Sequence, residues 1–462
     1  MLSLVATACV APDDGFGASI GPPTTAAPTT SPTTEAPASA DDSGGILEQM
    51  PSTTLPDIEM GSLDDLPQAD GGDGPTVTEP PEFITDAPPD VGVWGDIVLL
   101  VEAFWGEEFA DFAGSGAYRP LDRERIVAVE DGETGLPLCG REPIPNSTVE
   151  QNALAAVCPE GQLILWDDDD LFVELFEQYG ATGPAIVIAH EFGHAIEFQA
   201  GVLNRPTVVI EQQADCLAGA FARWMSDRDL APFDTPSSLD AAVGATVSFR
   251  DQPGSSAASD NAHGSGFDRV RAFQDGFESG VELCAQYDVA FLQPQLTQIQ
   301  FTENDFSTGG NLPFEQLIDA VNPYFQDFYG TMAVMGGFTL TADDLEQWRV
   351  LHDQIGDNAT GVAMALEYGA FVQRELGLPD SGVDAFSQQI CLAGAAFRPL
   401  ISFVEGVSPT DLSLSAGDMD EAVLVLSRIV QINQDVLEEG FLFDAIGELR
   451  NGFLDGTPAC GL

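Results

Sequence analysis

The stretch Ala185-Ile186-Val187-Ile188-Ala189-His190-Glu191-Phe192-Gly193-His194-Ala195-Ile196 decides how this chain is read. It is an apolar segment, and a helix is expected over Pro184–Ala200. His190 and His194 are four residues apart, so both imidazoles leave one face and can share a metal ion. Glu191 falls beside that face, where a general base for metal-held water is needed. Two ionisable rings and a carboxylate are costly to bury without partners, and the chain has only four histidines. The spacing therefore predicts a zinc site.

Such a site needs a further protein ligand and an open position. The segment Glu211-Gln212-Gln213-Ala214-Asp215-Cys216-Leu217-Ala218-Gly219 supplies the candidate. A helix is expected over Thr207–Met225, with Gly201–Pro206 turning the chain back from the first helix. Glu211 and Asp215 share a face of it. We read Glu211 as the third ligand and Asp215 as the carboxylate that orients a ligand histidine through its other ring nitrogen.

Downstream lie His263-Gly264-Ser265 and the tract Arg269-x-x-x-Phe273-x-x-Gly276-Phe277-x-x-Gly280-x-x-x-Cys284. With the two motifs above, this pattern resembles the bacterial neutral zinc metallopeptidases, relatives of the gluzincins, in which two histidines and a glutamate bind zinc. Weaker matches upstream are Phe104-Trp105, Tyr118, Cys139 and Ala156-Val157-Cys158-Pro159. The likeness runs from about Asp96 to Cys284. It implies peptidase activity with one zinc on His190, His194 and Glu211, and Glu191 as the base. For His263 it suggests a hydrogen bond to the oxyanion of the tetrahedral intermediate; an ordinary loop histidine is the other reading. The chain departs from the family in carrying Glu197-Phe198-Gln199 after the second histidine, with no consequence expected for the metal.

The C-terminal part reads as a degraded copy of the first. Ala189-His190-Glu191-Phe192-Gly193-His194 aligns with Ala365-Leu366-Glu367-Tyr368-Gly369-Ala370, 176 residues on (366 − 190). Glu211 and Asp215 align with Phe386 and Ile390, inside a shared Cys-Leu-Ala-Gly-Ala. Phe267-Asp268, Gly276-Phe277, Gly280 and Cys284 align with Phe443-Asp444, Gly452-Phe453, Gly456 and Cys460. Asp343-Asp344-Leu345 and Val321 to Tyr329 echo Asp169-Asp170-Leu171 and Val101 to Phe109. Both histidines, the glutamate ligand and the aspartate have become apolar. His263 falls opposite Glu439, so it too belongs to the first copy alone. His352 has no ligand neighbours and reads as structural or exposed. One zinc per chain, in the first copy only, is the expectation.

The repeat also suggests a cysteine pairing: Cys216 with Cys284, Cys391 with Cys460, and the local pair Cys139 with Cys158. Six paired cysteines imply an oxidising, extracytoplasmic setting. Cys9 ends Leu4-Val5-Ala6-Thr7-Ala8 and resembles a lipobox, although the residues before it are too few for a whole signal peptide, so the true start is expected upstream. Residues 1–9 are read as partial signal, and 10–90 as a Thr/Pro/Ala/Asp-rich spacer that cannot bury enough apolar surface to fold. The metallopeptidase domain is expected over 91–295 and the degenerate repeat over 300–462. No other segment is apolar for long enough to span a bilayer.

The formal charge is −60, from 75 acidic and 15 basic residues. That argues against nucleic acid as a partner and against anionic lipid, leaving Cys9 as the only expected membrane tie. A peptide or protein substrate is what the resemblance implies; the oligomeric state is left open. The fold expected is α+β and mostly helical: two similar zincin-like domains packed as a pseudo-dimer. Predicted helices are Asp96–Phe112, Leu171–Tyr179, Pro184–Ala200, Thr207–Met225, Ser238–Val247 and Phe267–Gly280. Predicted strands are Arg125–Val129, Leu163–Trp166 and Gln298–Phe301. The function expected is an extracytoplasmic zinc peptidase, on a lipoprotein or secreted. The alternatives are a surface binding lipoprotein with a relic metal site, and a zinc hydrolase of cell-wall peptides.

Overall fold

The computed structural model describes residues 94–130, 136, 138–139, 142–143, 155–158, 162–259, 262–301, 305, 308–401, 412–434 and 437–462. The signal, spacer and Cys9 readings lie outside these residues. Helix α1 (Gly95–Ala113) leads into strands β1 (Ile126–Val129), β2 (Leu138–Cys139), β3 (Glu142–Pro143), β4 (Ala155–Cys158) and β5 (Leu163–Asp167). Helices follow: α2 (Leu171–Tyr179), α3 (Thr182–Ala200), α4 (Thr207–Ser226), α5 (Pro236–Ser248), α6 (Gly266–Ser279), α7 (Val281–Cys284) and α8 (Val289–Leu292). The C-terminal half has α9 (Phe314–Gly330), α10 (Ala342–Gln354), α11 (Asp357–Leu376), α12 (Val383–Phe397), α13 (Asp418–Ile432) and α14 (Phe441–Asp455). The fold is mostly helical with few strands, as expected of an α+β chain.

Strands β1, β5 and β4 form one sheet in that order, β1 parallel and β4 antiparallel to β5. Its residues alternate between faces, as a strand requires. Ile126, Ala128, Ile164 and Trp166 join the main core, while Val127, Val129, Leu163 and Leu165 form a small cluster on the other side. One expectation needs correction. Gln298–Phe301 is not a strand: Gln300 makes only an isolated bridge to Gly254, and Asp268 already holds the Thr297 N–H just before it. Conversely, β4 was not predicted, because Ala155 and Ala156 lack the β-branched bulk that marks strands in sequence.

Helix α3 is buried on all sides from Thr182 to Glu197. It ends where Gly201 turns left-handed (φ 75°), with Val202 N–H bonding Glu197 C=O and Gly201 N–H bonding Phe198 C=O, a Schellman closure that favours glycine. Helix α11 ends the same way, at Gly377 (φ 70°). Helices α4 and α6 touch backbone to backbone. A Cβ on Gly219 would lie 1.9 Å from Phe273 O, and one on Gly276 would lie 1.7 Å from Cys216 O. Helices α12 and α14 meet in matching fashion, with 2.0 Å from Gly394 to Leu449 O and 1.8 Å from Gly452 to Cys391 O. Disulfides Cys139–Cys158, Cys216–Cys284 and Cys391–Cys460 are formed. Gln213 donates to Cys284 C=O at 2.6 Å, and Gln388 to Cys460 C=O at 2.8 Å.

The two halves share one continuous apolar core. Across it, Phe267 of α6 packs on Phe453 of α14 (5.5 Å between ring centroids) and Phe277 on Phe443 (5.1 Å). Asp420 of α13 accepts the Phe267 N–H at the start of α6. Asp240 of α5 accepts the Gly440 and Phe443 N–H groups at the start of α14. Each half thus caps a helix of the other. Among the described residues no helix is long and apolar enough to cross a membrane.

Candidate metal centre

The two central helices α3 and α4 bring His190, His194 and Glu211 together. His190 Nε2 lies 3.1 Å from His194 Nε2 and 3.3 Å from Glu211 Oε2, and His194 Nε2 lies 3.4 Å from Glu211 Oε1. Gly193 makes this approach possible, because a Cβ there would already be 3.1 Å from the Ala214 Cα on α4. These separations suit one small cation: donors about 2.05 Å from a tetrahedral zinc are spaced by about 3.3 Å.

The outer ring nitrogens are both taken. His190 Nδ1 lies 2.8 Å from Asp215 Oδ1, and His194 Nδ1 lies 2.8 Å from Glu197 Oε2. A carboxylate at each Nδ1 places the proton there and turns the Nε2 lone pairs towards each other. Two facing lone pairs repel unless a cation sits between them. This donor chemistry fits zinc, and the group could hold a metal. Arg269 of α6 in turn clamps Asp215 through two bonds, at 2.8 Å and 2.7 Å.

Titration follows the same field. Burial disfavours a charged His190, but the Asp215 carboxylate outweighs it and lifts the ring to about 8. For His194 burial is overcome by Glu211, and the ring rises well above its usual value. Burial would raise Glu211 too, yet the two imidazoles hold it well below the carboxylate range. Asp215 is lowered against burial by Arg269. A pocket that draws protons onto both rings in this way also draws a metal cation. Glu191 is 7 % exposed, and burial raises it.

These groups line a half-open cleft of about 550 Å³, together with β4 (Ala155, Ala156, Val157), Ile186, Val187, Phe249 and His263. His263 N–H and Gly264 N–H both donate to Asp251 Oδ2, and His263 Nδ1 lies 3.3 Å from Asp251 Oδ1. Its Nε2 has no hydrogen-bond partner among the described residues. Residues 151–287 match the family model described as "Putative neutral zinc metallopeptidase". That stretch contains every residue of the cleft named here and stops short of α9. No curated protein and no solved structure matches the chain. The match points to a zinc peptidase, and the disulfides hint at a setting outside the cytoplasm.

Sequence reasoning placed His190, His194, Glu211, Asp215, Glu191 and His263, and the structure gathers all of them at one cleft. It missed Glu197, Arg269 and Asp251 as their partners. Glu197 was legible in principle, since a residue three beyond His194 shares its helix face. The contacts of Arg269 and Asp251 cross between distant segments and leave no local signal.

Proposed function

We propose that this chain is an extracytoplasmic zinc peptidase whose active site is the cleft between α3, α4 and β4. The observation that carries it is the convergence of three metal donors, each imidazole backed by its own carboxylate, with Glu191 on the same cleft. His190, His194 and Glu211 would hold the zinc. When bound, zinc supplies a Lewis acid that polarises a carbonyl and lowers the pKa of water. Glu191 takes a proton from the attacking water at its carboxylate and returns it to the leaving nitrogen. Its raised pKa suits a group that must hold and then release that proton. Asp215 and Glu197 fix both rings, and Arg269 keeps Asp215 ionised. His263, steadied by Asp251, offers its other nitrogen to the oxygen on which charge develops.

A peptide is favoured by the sheet. Strand β4 pairs with β5 on one side only among the described residues, and its residues line the cleft. A free strand edge accepts an extended chain through main-chain hydrogen bonds. We read α9 to α14 as a copy of the first half with the chemistry erased, and the two as a pseudo-dimer. The matched glycine contacts, and reciprocal ring pairs of the kind a two-fold axis produces, support this. The copy's task would then be to cap and brace α6. Cys9 is the proposed lipid anchor.

The test is zinc content together with cleavage of an unstructured peptide by the full chain. The expected result is one zinc per chain and turnover that a chelator abolishes and zinc restores. A folded, zinc-loaded protein that cleaves no peptide would sink the peptidase reading, and two zinc ions per chain would sink the erased copy.

A further inference from the structure

A second cluster of acidic side chains lies in the C-terminal half, where two helix starts converge. Asp357 opens α11, Asp418 opens α13, and Glu421 is in the first turn of α13. One oxygen from each lies within 4.8 Å of the others. All three are buried, at 4 %, 5 % and 8 % exposure. Gly356 admits Glu421 to this position: a Cβ there would lie 1.8 Å from Glu421 Oε1.

Each carboxylate is aimed by the backbone. Asp357 Oδ2 accepts Leu312 N–H at 2.7 Å, and Glu421 Oε2 accepts Asn358 N–H at 2.8 Å. Asp418 accepts both the N–H and the hydroxyl of Ser415, each at 2.7 Å. Asp357 Oδ1 is sealed from solvent and receives no hydrogen bond. Asn311, next to Leu312, likewise has a buried side-chain oxygen without a donor. Among the described residues, none of the three carboxylates is in an ion pair with arginine or histidine. Asp305 adds a further negative charge facing Asp418, and His352 is the nearby group that can offset it at Asp357.

A helix start explains one anion apiece, but not three sharing one buried site with an oxygen left bare. Three carboxylates buried together, none of them in an ion pair among the described residues, repel one another. Protons or a cation must neutralise the group. The donors are three carboxylate oxygens, with no nitrogen or sulfur among them; this is the set a hard, loosely coordinated divalent ion prefers.

We propose that Asp357, Asp418 and Glu421 form a calcium site that ties the start of α13 to the start of α11. The tie reaches the metal cleft. Asp420, between two of these ligands, caps α6 at Phe267 N–H, and α6 carries Arg269, which clamps Asp215.

The experiment compares the zinc-loaded full chain with D418N and E421Q, by calcium equilibrium dialysis and thermal melts across calcium concentrations, with magnesium as the ionic-strength control. The wild type should hold one more calcium than either variant, and its Tm should rise by several degrees with calcium beyond any rise with magnesium. The variants should lose that rise, yet melt no lower than the wild type without calcium, because the amide removes repulsion. Equal calcium uptake and equal melting responses in all three chains would overturn the site and leave shared protons as the neutralising agent. Should the variants fail to fold, the wild type decides: one saturable calcium held against excess magnesium supports the site, and only weak unsaturable uptake overturns it.

Discussion

Helices α3, α4 and α6 can be set against α11, α12 and α14 position by position. The frame is the same: glycines at matching crossings, a glutamine on the second cysteine's carbonyl, left-handed glycines closing α3 and α11. The chemistry differs. His190, His194, Glu211, Asp215 and Arg269 stand where the second set has Leu366, Ala370, Phe386, Ile390 and Ala445, all buried. Glu197 gives way to Gln373. The lesson is that the frame is held by close backbone packing and apolar burial, while the ionised network is an addition that has to be complete or absent.

The largest expected contrast is catalytic. Glu191→Gln should lower kcat/KM for a peptide by about 10²–10⁴-fold with zinc retained, whereas Glu367→Gln should leave it within about twofold. Equal losses would mean that the second set also takes part in the reaction.

Next comes the buried ion network. Asp215→Ile alone imitates the second set but strands Arg269, and should cost about 3–5 kcal/mol in a denaturant melt together with about 10–100-fold in zinc affinity. Adding Arg269→Ala, as the second set does, should recover much of the stability and none of the zinc affinity. If the double variant is no more stable than the single one, the complete-or-absent rule fails here.

The glycine crossings should behave alike in both sets. Gly219→Ala and Gly394→Ala each drive a methyl into a carbonyl oxygen and should each cost about 3 kcal/mol. Only Gly219→Ala should also reduce activity of the surviving folded fraction. Markedly unequal melting shifts would show that the two crossings are not equivalent.

The smallest effect concerns the reciprocal caps. Burial raises both Asp240 and Asp420 to about 6, helped by the charge of Asp444 beside the first and Asp268 beside the second, and opposed by the N–H groups they accept and, at Asp420, by Arg250. A carboxyl raised in the folded state binds its proton more tightly there than in the unfolded chain. Its contribution to stability is therefore full below pH about 4 and declines as pH rises to about 6. The decline should be about 1–3 kcal/mol for each carboxyl, smaller for Asp240, which is partly exposed. Melts of Asp240→Asn and Asp420→Asn across that window should each be flatter than those of the wild type; an unchanged slope would remove these caps as its source.

Much of this protein was legible in one dimension because its signals are local. Spacing of four on an apolar helix put His190 with His194 and Glu211 with Asp215, and the self-comparison of the chain paired Cys216 with Cys284 and Cys391 with Cys460. Three-dimensional packing alone decided the rest. It brought α3 against α4, so that three donors converge. It delivered Arg269 to Asp215 and Asp251 to His263, aligned β4 along the cleft, and set Asp420 on α6 and Asp240 on α14. It also drew Asp357, Asp418 and Glu421, scattered over two helices, into one buried group. The division has a physical cause: helical periodicity is written in neighbouring residues, whereas a contact between distant segments depends on how whole faces pack, and no short stretch of sequence records that.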